Sequence, residues 1–135
     1  MPLIIWKDSY LTGFQDIDTQ HQKLVEIINN LFDAISKKEK DEIVEHALSQ
    51  LIDYSITHFR HEEDLMIRYR YLDYSNHRKE HLHFMEKVNG FRKDFVPGNN
   101  KVMLEIINFL KDWLLNHIML TDRKYIQTFH NFGYQ

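Results

Sequence analysis

The stretch His58-Phe59-Arg60-His61-Glu62 sets an imidazole and a carboxylate four residues apart, and the pattern around it decides the fold. At about 100° per residue, positions four apart share a helix face, so His58 and Glu62 point the same way. Backwards from His58 that face carries Tyr54, Leu51, Ala47 and Val44; forwards it carries Leu65 and Tyr69. The pair therefore sits on the apolar stripe of a helix that Asp41 can cap and that runs to about Tyr69. Burying such a pair costs roughly several kcal/mol unless something inside the protein pairs with it.

Three other segments show the same period. Asp18 is a candidate cap for a first helix with the stripe His21, Leu24, Ile28, Leu31 and Ile35, ending at Lys37-Lys38. Asp73 can cap a third, whose stripe reads His77, His81, Phe84, Val88, Phe91 and Phe95. Gly90 within it costs about 1 kcal/mol and is tolerated. Pro97-Gly98-Asn99-Asn100 marks a stop and a turn. The fourth helix shows Val102, Ile106, Leu110, Trp113, His117 and Leu120, with Leu114 beside the stripe. Before the first helix, residues 1 to about 17 lack a helical period and read as an extended arm, packed through Trp6, Tyr10 and Phe14. The tail from Asp122 is aromatic and polar, a short helical turn or a packed arm. No segment alternates as a strand does. Four amphipathic segments with short connections predict an all-α, up-down-up-down four-helix bundle with an extended N-terminal arm, as one domain over 1–135.

With 135 residues, 43% hydrophobic and 27% charged, the chain has the composition of a globular domain with a real core. A formal net charge of −3 gives no reason to expect nucleic acid or an anionic membrane as partner. There is no cysteine, which excludes disulfides, cysteine-held iron–sulfur clusters and thiol nucleophiles. No basic leader precedes the short apolar run at the N-terminus, and no run approaches the roughly 20 residues that span a bilayer. A cytoplasmic protein without membrane insertion is the expectation.

Histidine is the unusual residue: nine in this length. Each helix sets at least one on its inward stripe: His21 on the first, His58 on the second, His77 and His81 on the third, His117 on the fourth. One such histidine is ordinarily a satisfied core residue. Inward histidines on all four helices would crowd polar rings into a core with little to pair them, and a metal site explains them together. His46, His61, His83 and His130 fall off the stripes and read as solvated or rim residues. Glu62 joins the inward set. Asp122 follows His117 by five residues, about 140° around an ideal helix. It converges only if the helix loosens there, as a π-type bulge or a terminus.

So many imidazoles, with two carboxylates, exceed what one metal needs. Two octahedral ions bridged by both carboxylates and an oxo or hydroxo group would be filled except for about one position. Mixed nitrogen and oxygen donors without thiolate suit iron, and an open position walled by apolar side chains suits a small uncharged ligand. Rival patterns explain less. His77-Arg78-Lys79-Glu80-His81 matches the inverted zinc-protease signature H-x-x-E-H, but leaves His21, His58 and His117 without a role. The ferritin-like pattern needs two Glu-x-x-His units, and only Glu80 to His83 qualifies.

The sequence resembles the hemerythrin family, in its single-domain bacterial form, over nearly its whole length. The resemblance rests on the aromatic arm (Trp6, Tyr10, Gly13), Asp16-Ile17-Asp18-Thr19-Gln20-His21, His58-Phe59-Arg60-His61-Glu62, His77-Arg78-Lys79-Glu80-His81, and Trp113-Leu114-Leu115-Asn116-His117 with Asp122. It implies two non-haem iron ions with an oxo or hydroxo bridge. His77, His81 and His117 would hold the coordinatively full iron, and His21 and His58 the iron with the open position. Glu62 and Asp122 would bridge them. The resemblance further implies that dioxygen is the ligand and that Leu114 limits access of water. Phe59 and Trp113 would pack around the metals. Reversible oxygen binding for storage, transport or delivery, without enzymatic turnover, is the leading expectation. An oxygen or redox sensor, or a di-iron enzyme removing peroxide or nitric oxide, is the alternative; no protein partner is legible.

Overall fold

The structure, a computed structural model, describes residues 2–95 and 100–134, with the side chain of Asn100 left aside. Four long helices account for most of it: α1 (Gln15–Ser36), α2 (Asp41–Arg68), α3 (Tyr74–Lys93) and α4 (Asn100–Asn116). Each packs on its neighbours in chain order, and α4 closes the ring against α1, giving the expected four-helix bundle with no strand among the described residues. The turn expected at Pro97-Gly98-Asn99 lies outside the described residues. After α4 the chain widens into a π-helical turn (His117–Thr121), tightens into a 3-10 turn (Asp122–Tyr125) and ends in α5 (Ile126–Asn131).

Two apolar clusters fill the interior. The larger joins the four helices through residues such as Leu24, Ile28, Leu51, Phe59, Phe84, Leu110 and Leu114. The smaller, Phe14, Ile17, Leu65, Met66, Tyr71, Tyr125 and Phe129, closes the end where α5 folds back. Between them along the helices lie the polar positions: His21 falls between Ile17 and Leu24, and Glu62 between Phe59 and Leu65. A polar layer is thus sealed on both sides by hydrocarbon.

Several local expectations are corrected. Helix α1 begins at Gln15, not Asp18, and Asp18 caps nothing. Its carboxylate instead accepts from Thr12 N (2.7 Å), Thr12 Oγ1 (2.8 Å) and Gly13 N (3.1 Å), tying down the arm as it enters the helix. Gly13 has φ 94°, a left-handed conformation that glycine takes without strain, which turns its N–H toward that carboxylate. Asp41 is the first residue of α2, whose capping position is Lys40. Asp73 does sit at the cap of α3, but its side chain accepts from Asn76 Nδ2 at 2.7 Å rather than from the helix backbone. The arm is extended except for a single 3-10 turn, Asp8–Tyr10. It is held by reciprocal bonds between the backbone of Ile4 and the amide of Asn29 (2.8 and 2.9 Å).

On α2 the inward residue is Ser55, fully buried, and not Tyr54, which is half-buried. The true seam is Val44, Leu48, Leu51, Ser55, His58, Glu62 and Leu65, alternating steps of four and three. On α4 the stripe fails at Leu120, which is 63% exposed because the π turn rotates it outward.

Candidate metal centre

All seven side chains expected in the site are buried and meet in the polar layer: His21, His58, Glu62, His77, His81, His117 and Asp122, none more than 2% exposed. The π turn is what brings Asp122 in. Widening the helix by about one residue per turn sets position i+5 over position i, so Asp122 returns to the face of His117. Its Oδ1 lies 2.8 Å from His117 Nε2 and 3.0 Å from His77 Nε2, while Oδ2 lies 2.9 Å from His21 Nε2. Glu62 Oε1 is 2.8 Å from His58 Nε2 and 3.6 Å from His81 Nε2.

The donors sort into two groups, each with its atoms within 4.8 Å of one another: Glu62, His77, His81, His117 and Asp122, and His21, His58, Glu62 and Asp122. The two carboxylates belong to both. One group has three imidazoles and the other two.

These short separations are not ordinary hydrogen bonds. His21 Nε2, His58 Nε2, His77 Nε2, Glu62 Oε1 and both oxygens of Asp122 lack an aligned partner despite being buried. Close approach without alignment is what results when lone pairs aim at a shared point instead of at one another. The tautomers agree. His58 Nδ1 faces Gln20 Oε1 at 2.7 Å, His81 Nδ1 faces Glu63 Oε2 at 2.9 Å, and His117 Nδ1 faces Glu80 Oε1 at 3.3 Å. Each outer partner accepts, so each ring carries its proton on Nδ1 and presents the Nε2 lone pair inward. His81 Nε2 and His117 Nε2 even face each other at 3.1 Å. A buried set of acceptors with hardly a donor among them needs cations, and the residues fit a two-metal site on this ground.

Without cations, protons serve. Burial works against a charge on His117, but the Asp122 carboxylate and then Glu80 outweigh it and push the ring up to about 10. Burial and the repulsion of Asp122 would raise Glu62, yet His58 and His81 hold it down at about 2. Asp122 is held well below the usual range by His117, His21 and His77, against its own burial. Desolvation dominates at His81, which is lowered.

The surrounding shell is aromatic. Phe59 stacks on His81 (centroids 4.0 Å apart, planes at 8°), and Trp113 stacks on His117 (4.4 Å, 13°). Leu114, one turn before the π segment, is 2% exposed. Sequence reasoning missed the partners outside the cluster. Gln20, Glu63 and Glu80 each adjoin an inward residue, and adjacency alone gives no signal. Tyr125, fully buried, donates to Glu62 Oε2 at 2.7 Å, and burial pushes its phenol well above the usual range. Of the off-stripe histidines, His46, His83 and His130 are exposed, while His61 is half-buried and contacts Asp16 Oδ2 at 2.6 Å. Tyr134 bonds the same oxygen from the tail.

A helical bundle that gathers two groups of imidazoles around shared carboxylates has the donor set of a histidine-rich di-metal protein. Comparison with known proteins gives that class a family. The Hemerythrin HHE cation binding domain matches residues 12–129. The chain belongs to the hemerythrin family. It is 39% identical over 126 residues to a bacteriohemerythrin of Pseudomonas aeruginosa, covering 93% of this chain and 81% of that one. It is 30% identical over 128 residues to a bacteriohemerythrin of Clostridium acetobutylicum, covering 92% and 99%. Among solved structures, wild-type hemerythrin superposes with a TM-score of 0.81 at 27% identity, covering 93% of this chain and 97% of that chain.

Proposed function

We propose that this chain binds dioxygen reversibly at a pair of non-haem iron ions, as a carrier or store and not as an enzyme. The observation that carries the reading is the unequal sharing of donors: both carboxylates serve both groups, but three imidazoles serve one and two the other. His77, His81 and His117 would hold one iron, His21 and His58 the other, with Glu62 and Asp122 common to both. The shorter donor list would leave room for a ligand beside His21 and His58. When bound, the iron pair supplies that position and the electrons that dioxygen draws on.

The protein's own part is to hold the donors and exclude water. The cluster is sealed between the two apolar clusters. Proton delivery is restrained. The hydroxyl bonded to the cluster, Tyr125, is committed to Glu62 and held far above the usual phenol range by burial. A site that cannot readily hand over a proton favours release of oxygen over its cleavage. Among the described residues no helix is long and apolar enough to cross a membrane.

The test is to load the chain with iron, reduce it without air, then cycle air and argon. A visible absorption band that appears with air and vanishes under argon over repeated cycles, at two irons per chain, is the expected result. Irreversible oxidation at the first exposure, or steady consumption of peroxide or nitric oxide, would replace the carrier with an enzyme.

A further inference from the structure

The outer partners of the histidines are as unequal as the inner ones. In the three-histidine group, His81 Nδ1 is backed by the Glu63 carboxylate at 2.9 Å and His117 Nδ1 by the Glu80 carboxylate at 3.3 Å, while His77 Nδ1 is buried with no hydrogen-bond partner. Thr121 Oγ1 donates to the same Glu80 oxygen at 2.9 Å and fixes it. In the two-histidine group the backing is neutral: His58 Nδ1 meets the Gln20 amide at 2.7 Å, and His21 Nδ1 is buried with no hydrogen-bond partner. A carboxylate accepting the outer N–H pushes charge onto the imidazole and makes its inner nitrogen a stronger donor. An amide does so far less.

We propose that Glu63 and Glu80 are positioning residues that make the three-histidine position the one to hold iron(III) first, while Gln20 keeps the two-histidine position reducible. This rests on the di-iron reading above and deepens it. Removing one electron from the reduced pair with an outer-sphere one-electron acceptor, ferricyanide for instance, converts one iron(II) to iron(III). No proton moves and no bond breaks. Two anionic partners at one end and none at the other place that added charge at the three-histidine end. The neutral end is where a ligand must come and go, and an iron there that is easily kept reduced releases oxygen rather than electrons. Glu63 is also approached by Arg78 Nε at 3.5 Å, a cation that draws on the same carboxylate and tempers it.

The measurement is a redox titration of the iron-loaded chain with one-electron mediators, with iron content and metal-free thermal unfolding followed in parallel. Glu63→Gln and Glu80→Gln should keep two irons and shift the first oxidation to higher potential. Glu63→Gln should shift it more, since Glu80 is farther from its ring and 43% exposed. Gln20→Glu should lower the potential of the second oxidation and shorten the life of the oxygen-binding form. Arg78→Gln, at a half-exposed site where folding is not at risk, should lower the first potential by releasing Glu63. Unchanged potentials in Glu63→Gln and Arg78→Gln with both irons bound would overturn the proposal and leave the di-iron reading standing. A native chain that fails to hold two irons would overturn that reading itself.

Discussion

Tyr125 and Glu62 are joined by a 2.7 Å hydrogen bond between two fully buried side chains more than sixty positions apart in the chain. The phenol is supplied by the 3-10 turn that begins at Asp122, so the segment that delivers one shared carboxylate also steadies the other.

Tyr125→Phe keeps the ring but strips the carboxylate of the hydroxyl that donates to it. A hydrogen bond to a charged group is worth about 1.5–3 kcal/mol, and the orphaned oxygen stays buried. The metal-free variant should lose about that much stability in urea unfolding. The iron-loaded variant should lose less, because the cations then hold Glu62. Equal loss in both forms would mean that Tyr125 acts through packing on His77 and Phe129 alone.

Glu62→Ala and Asp122→Ala each remove a donor from both groups, so each should empty the site of both irons under a chelator that leaves the native chain loaded. His58→Ala touches one group only and should keep about one iron by the same elemental analysis. Two irons retained in Glu62→Ala would remove Glu62 from its shared role.

Most of this centre was legible because helical period and metal chemistry ask for the same thing, polar donors on inward faces. Even the anomaly at Asp122 was informative: its spacing requires a distorted helix, and a π turn is what the chain forms. Ser55 escaped because two registers fit α2, and apolarity favours Tyr54 over a small hydroxyl; the packing chose the four-three alternation. The capping propensity of Asp18 is real, but a carboxylate can also satisfy the arm's N–H groups before the helix starts, and here it does. Tyr125, Gln20, Glu63 and Glu80 have no periodic signature, since they reach the site from beside or behind the ligands.

Acidity gives a further expectation for the metal-free chain. His117 is raised to about 10 from an ordinary 6.5, and His21 is raised as well. A group with a raised folded-state pKa contributes stability in full below its unfolded value and loses it as pH climbs through the folded one. The melting temperature of the metal-free chain should therefore fall steadily from pH 6.5 toward about 10. In the loaded chain the cation replaces the proton, so that decline should vanish, and metal uptake at neutral pH should release protons. Calorimetry on both forms checks the first point and a lightly buffered metal titration the second; parallel declines in both forms would contradict the exchange of proton for metal.

The arm gives the last prediction, and it separates holding the arm from holding the metal. Asp18 accepts from Thr12 N, Thr12 Oγ1 and Gly13 N, and Arg123 reaches back to the carbonyls of Ser9 (3.3 Å) and Leu11 (3.0 Å) from the residue after Asp122. Asp18→Ala leaves three donors without a partner, two of them buried, a loss of about 3 kcal/mol if the arm stays docked. The arm has a cheaper course, which is to detach and let water satisfy those groups. Hydrogen exchange over residues 2–14 should rise sharply, and limited proteolysis should cut there first. Iron content should stay at the native level, since no ligand comes from the arm and the four helices still bring the imidazoles together. If iron is lost along with the arm, the clamp from Arg123 is what keeps the π turn, and with it Asp122, in place.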